Sequence, residues 1–278
     1  MAITKYDDVV KALTTTGKLQ NIWFFKGGST VESSAPSSSF FTEGLPSIGA
    51  APSTNRVCTK DTAGAIFVGN PTGGEKAYLL GGSIQINSAN NVFAILCDRL
   101  VDTTGLSGTV ATPQTTNLPT PTLTRYTDGK GVLIGLQCWT ATGSTTANVT
   151  CSYTNQDGTS GRTSVSVVFW TGGYGGGTIA PTAGQIQILP FQAGDYGCRS
   201  VESVTLSTST LTAGNFGVVL LKPLTIFNLG QATTLGYNYD LTLYGGLEEK
   251  IDETCYDIIY SANTTTPKIF GKLDVLYA

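Results

Sequence analysis

The side chains able to do chemistry in this chain are its carboxylates, because its 278 residues include no histidine. Histidine titrates nearest neutrality and is a frequent metal ligand, so its absence removes Ser-His-Asp catalysis and most zinc sites together. Glycoside hydrolysis needs only two carboxyl groups facing each other across a cleft. The richest acidic pool is Asp195, Glu202, Glu248, Glu249, Asp252 and Glu253, of which residues 248–253 (EEKIDE) read as a solvated, salt-bridged turn. No D-x-[DN]-x-[DN]-G calcium loop occurs. The Gly-rich segments 128–131 (DGKG) and 172–177 (GGYGGG) fit neither G-x-x-x-x-G-K-[ST] nor a strand–turn–helix G-x-G-x-x-G, so they read as turns. The nucleophile-elbow pattern G-x-S-x-G is missing as well. Tyr174, Tyr237 and Tyr239 lie near glycines and offer ring faces to a sugar, although loop tyrosines more often pack on their own domain. No catalytic, cofactor-binding or metal-ligating residue is therefore assigned, and the expectation is a non-enzymatic protein without a cofactor.

The six cysteines (Cys58, Cys97, Cys138, Cys151, Cys198, Cys255) form no C-x-x-C pair. Cys97, Cys138 and Cys151 lie within apolar runs, where cysteine acts as a small hydrophobe, so buried free thiols are expected. Residues 1–11 lack an apolar core behind a basic start, which argues against a signal peptide and for synthesis in a cytoplasm. No run approaches the length of a membrane helix. The net charge of −3, with no run of like charge, leaves no electrostatic footprint for nucleic acid.

The elements follow from periodicity. Tyr6, Val9, Val10 and Leu13 share one face of a 3.6-residue period, predicting a helix over 5–16 that stops near Gly17. Residues 21–25 read as a strand, and 27–55 as a Ser/Gly/Pro-rich arm whose Phe40 and Phe41 must dock on their own core or on a neighbour. Short strands are predicted at 79–86, 92–97, 132–139, 185–189, 201–206, 216–221, 239–244, 256–260 and 269–276. The clearest hairpin has Ala147, Val149, Cys151 and Tyr153 alternating with polar residues, a turn over 155–160, and Val165, Val167 and Phe169 on one face of the return strand. Many short strands with turn signals between them, and no alternation with helices, define an all-β sandwich or barrel. The chain divides into an N-terminal helix and irregular arm (1–76), a β-sandwich core (77–226) and C-terminal strands completing the same domain (227–278). Only 13% of residues are charged, about half of the usual fraction, which suits surfaces that pack against other copies.

Several motifs carry a resemblance. They are Asp98-Arg99-Leu100-Val101, Leu123-Thr124-Arg125-Tyr126-Thr127, Ser152-Tyr153-Thr154-Asn155-Gln156, Gly158-Thr159-Ser160-Gly161-Arg162-Thr163, Gln192-Ala193-Gly194-Asp195 and Arg199-Ser200-Val201. Through them the chain resembles a family of tailed-bacteriophage virion proteins encoded among head genes. It has Asp102 where members of that family often carry His. The resemblance implies a head decoration, or cement, protein with a jelly-roll-like antiparallel β-sandwich. It implies a small homo-oligomer bound to the major capsid protein on the outer capsid surface of a virion, and the three-fold binding places common in capsid lattices make a trimer the expected order. No nucleic-acid or membrane partner is expected. The alternatives are a head–tail adaptor, tail or fibre component, and a carbohydrate- or receptor-binding β-sandwich. The helix and the arm are candidate docking elements for adjacent subunits or the capsid, against the simpler role of capping the sandwich.

Overall fold

Segments rich in β-branched and aromatic residues pair antiparallel with one another and assemble into three sheets. The computed structural model describes residues 6–27, 35–87, 92–119, 121–170, 181–229, 237–240, 248–262 and 266–278. Sheet I contains β1 (Leu19–Gly27), β3 (Gly44–Leu45), β5 (Ala77–Ile86), β15 (Tyr237–Asp240), β16 (Glu248–Lys250) and β18 (Lys268–Tyr277), in the order β15-β5-β18-β1-β3 with β16 also on β5. Sheet II contains β2 (Ser37–Ser38), β4 (Arg56–Val57), β6 (Val92–Asp102), β8 (Leu133–Thr140), β12 (Ile186–Leu189), β14 (Asn215–Leu229) and β17 (Tyr256–Ser261). Its order is β12-β8-β14-β6-β17-β2, with β4 on β6. Sheet III contains β7 (Gln114–Thr115), β9 (Asn148–Asn155), β10 (Arg162–Thr163), β11 (Val167–Val168) and β13 (Cys198–Leu206). The protein is an all-β antiparallel sandwich with one short α-helix, α1 (Tyr6–Thr14), and a 3-10 turn at Ser39–Phe41 among the described residues.

The long strands of sheet II serve two cores on one face. In β14, Phe216, Val218 and Leu220 pack with Val149, Cys151, Tyr153, Val201 and Val204 of sheet III. Farther along, Phe227 packs with Phe24, Ile84, Ile269 and Leu273 of sheet I. An unbroken strand would put Phe227 on the opposite face from Leu220, because the side-chain period is two. The register shift between Pro223 and Thr225 inserts one residue and restores the parity, and a second shift does the same for Leu96 and Val101 of β6. The proline falls at a bulge, where a missing N–H is tolerated.

Part of the other face of sheet II is covered by the chain's own arm. Phe41 packs against Trp139 at 4.6 Å between ring centroids, and Phe40 is fully buried beside Cys58 and Cys255. Gly49 lies so close to Phe40 that a Cβ there would meet its ring at 2.4 Å. Of the two options for the aromatic pair, the structure takes the intramolecular one. The face assigned to the helix needs correction: Val9 and Ala12 are buried against Tyr78, Leu276 and Ala278, while Val10 and Leu13 are exposed. Sheet I fixes the side from which the helix is approached, which periodicity alone does not. In the hairpin, Ala147, Val149, Cys151 and Tyr153 are all buried, but Val165 is exposed because the return strand breaks between β10 and β11. Residues 172–177 and Tyr174 lie outside the described residues, and so do 241–244 of the strand expected at 239–244. All six cysteines are buried free thiols.

Candidate interaction surface

The carboxylates singled out as possible chemistry are divided between two regions and mostly engaged as braces. Asp195 accepts hydrogen bonds from Arg162 Nε at 2.8 Å, Tyr153 Oη at 2.6 Å and Asn155 Nδ2 at 2.8 Å. The Arg162 guanidinium holds its carboxyl down at about 2. Glu202 accepts from Thr154 Oγ1 at 2.7 Å and Ser200 Oγ at 2.9 Å across sheet III. Glu249 pairs with Lys76 at 2.7 Å, and Glu253 accepts from Asn70 Nδ2 at 2.6 Å. Among the described residues, no group of three or more Cys, Asp or Glu is placed to hold a metal ion. No helix among them is long and apolar enough to cross a membrane. Tyr237 and Tyr239 stand on β15, paired with Ile84 and Gly82.

The motifs that carry the resemblance converge in space. Tyr153, Asn155, Arg162 and Asp195 come from three separate segments and meet at one carboxylate. Arg99, fully buried, donates to Asp102 at 2.6 Å and to Asp257 at 3.0 Å, and stacks over the Phe40 ring at 4.5 Å. Asp257 in turn accepts from Ser38 Oγ at 2.6 Å, Ser39 Oγ at 3.1 Å and the Phe40 N–H at 3.2 Å, which fastens the arm to sheet II. Asp102 also accepts from Arg56 at 3.1 Å. Arg125 grips Asp98 with two 2.8 Å bonds. A buried charge persists only when paired and hydrogen-bonded; Asp98 and Arg125 meet that requirement for each other, whereas Arg99 meets it through Asp102 and Asp257, which lie outside the motifs. Sequence reading found the motifs but not Asp257, whose only sequence signal is an acid inside an apolar strand.

One surface that departs from ordinary burial is the outer face of sheet I. In β1, Phe24 and Lys26 point inward while Trp23 and Phe25 point outward, with Trp23 54% and Phe25 43% exposed. The pattern is inverted, because a lysine is fully buried where two aromatic rings are available. The Lys26 ammonium is held by backbone carbonyls, with Pro46 O at 2.8 Å and Thr42 O at 3.3 Å nearest, and burial lowers its pKa to about 8. Cross-strand pairing sets Phe25 between Phe270 of β18 and Leu45 of β3. Phe270 is 48% and Leu45 62% exposed, and the Trp23 and Phe270 rings lie 5.7 Å apart. Four large apolar side chains thus form a connected patch, bounded by Asn21, Lys272 and Asp274 on the same face. Helix α1 covers the far end of that face over Leu276 and Tyr78 and leaves this end open.

The fold and its surfaces define a β-sandwich braced by internal ion pairs and carrying an open aromatic face. No protein-family model matches the sequence, and no curated protein is similar to it. Among solved structures the chain aligns with a mutant VP2 protein of infectious bursal disease virus from derived T=1 particles, at 7% identity over 93% of this chain and 77% of that one, with a TM-score of 0.19. The VP2 subviral particle of the same virus aligns at 8% identity over 94% and 80%, also with a TM-score of 0.19. At that score the superposition supports no assignment, and the architecture stands on the strand pairing described above.

Proposed function

We propose that this chain is a non-enzymatic virion structural protein of the capsid decoration, or cement, type, which binds the outer head surface of a tailed bacteriophage. The observation that carries this reading is the inverted strand β1, which buries Lys26 and presents Trp23 and Phe25 beside Phe270 and Leu45. Inconsistency between local pattern and burial is expected where a surface has been kept for a partner. Connected apolar patches of this kind on a soluble chain mark association sites. The resemblance of the sequence motifs to those of phage head proteins supplies the class of partner, the major capsid protein. Covering a half-exposed aromatic ring contributes roughly 1 kcal/mol or more at about 25 cal/mol per Å². A subunit that binds only the mature lattice stabilises that lattice by mass action. Self-association, with a trimer as the expected order, brings several such patches to one docking site.

Quantitative mass spectrometry of purified particles, relative to the major capsid protein, tests the reading. A ratio near lattice stoichiometry supports it. A few copies per particle moves the protein to the neck or tail, and absence from particles rejects the virion role. Trp23→Ser with Phe270→Ser is expected to lower particle occupancy while the isolated protein stays folded. Unchanged occupancy removes the patch from the docking surface.

A further inference from the structure

At the edge of sheet I, away from the aromatic patch, the side chains of Lys250, Asn70 and Glu253 meet in one hydrogen-bonded group. Lys250 ends β16, Asn70 lies in the loop before β5, and Glu253 occupies a turn position with φ 66°. Lys250 is 5% exposed, and its Nζ donates to Asn70 Oδ1 at 2.9 Å. The Glu253 backbone N–H donates to the same Oδ1 at 3.0 Å. The Asn70 carboxamide Nδ2 donates to Glu253 Oε1 at 2.6 Å. An amine, a carboxamide polarised by two donors and a carboxylate on the leaving nitrogen therefore meet at one point, 180 residues apart in the chain for the amine and amide.

We propose that Lys250 and Asn70 form an intramolecular isopeptide bond, with Glu253 as the catalytic proton carrier. The neutral Lys250 amine attacks Asn70 Cγ, and the charge developing on Oδ1 is met by the Glu253 N–H. The Glu253 carboxylate takes the proton from the attacking nitrogen and delivers it to Nδ2. The Cγ–Nδ2 bond breaks, ammonia leaves, and a secondary amide joins Cγ to Nζ. Amine plus carboxamide gives amide plus ammonia, so no oxidant or other reactant is required. Burial lowers the Lys250 pKa and raises the neutral fraction, with Lys60 acting in the same direction and Asp252, Glu253 and Asp98 opposing it. Lys60 also approaches Glu253 Oε1 at 3.4 Å. The residue after Asn70 is Pro71, which has no N–H, so the usual loss of ammonia by cyclisation onto the next backbone nitrogen is closed at this asparagine.

The test is the intact mass of the purified full chain under denaturing conditions, followed by tryptic mapping. The expected result is a chain lighter than its sequence by one ammonia, with a branched peptide joining the fragments of Asn70 and Lys250 and no cleavage after Lys250. Glu253→Gln, checked for native circular dichroism, is expected to keep the full mass, and so is Lys250→Arg. A wild-type chain that retains its full sequence mass after prolonged incubation at pH 8 overturns the proposal. Ammonia loss that maps to another asparagine, or that persists in Lys250→Arg, overturns it equally.

Discussion

Arg99 keeps its charge with no exposed surface, and Asp102, Asp257 and the Phe40 ring make that tolerable. Replacing it by Met takes the cation from Asp257 and leaves Asp102 with Arg56, and breaking a buried pair from one side costs about 3–5 kcal/mol. Denaturant unfolding of Arg99→Met should register a loss of that order. Asp195 makes a pH prediction. Its folded pKa of about 2 lies below the unfolded value near 3.9. The stability it contributes is thus complete above about pH 4 and lost as pH falls through about 2. Acid unfolding of Asp195→Asn should show a smaller decline than wild type across that window. The thiols act at the other end of the scale, because burial raises Cys138 to about 12 and Cys151 to about 11. Their contribution is intact below the unfolded pKa near 8.5 and is lost as pH rises through the folded values. A thiol reagent at pH 8 should leave the native chain unlabelled and modify all six cysteines once it is unfolded.

Among the elements, the arm and the helix turn out to be internal covers as well as candidate docking pieces. Asp257 holds Ser38, Ser39 and the Phe40 N–H, so Asp257→Ala should release the arm before the sandwich melts. Limited proteolysis should then cut within 35–57 faster than in wild type, with the sheets still protected. Helix α1 covers Leu276 and Tyr78 through Val9 and Ala12. Removing residues 1–16 tests its role cleanly, whereas a deletion through residue 55 also takes away β1, which pairs with β18 along nine residues. The shorter deletion should leave a folded sandwich that binds more apolar dye. The strand pattern was readable because residues such as Val149, Cys151 and Tyr153 alternate strictly with polar neighbours. The break that exposes Val165 was not readable, because Ser164 bonds back to Cys151 and Val165 turns to Pro190, a partner set by another strand's position.

At the scale of the molecule, sheet II is a common floor under two side-by-side cores, and the arm covers part of its opposite face through Phe41 and Ala51, leaving Ile226 exposed. The bulges in β6 and β14 let one continuous strand pair serve both cores. The sequence alone determined the class of fold, because alternation, turn residues and the lack of helical periodicity after residue 16 depend on neighbours within a few positions. It also showed that conventional His-based chemistry was out of reach, since that follows from composition. Only the tertiary structure decided which face of β1 is inside. The segment Ile22-Trp23-Phe24-Phe25-Lys26 offers apolar residues on both faces, and the choice depends on carbonyls of residues 42–47 arriving to receive the Lys26 ammonium. The same holds for Asn70, Lys250 and Glu253, which share no local pattern and meet because β5 and β16 pair at the edge of one sheet. Contacts between residues this far apart in the chain are set by how whole sheets pack, and no window of sequence contains that information.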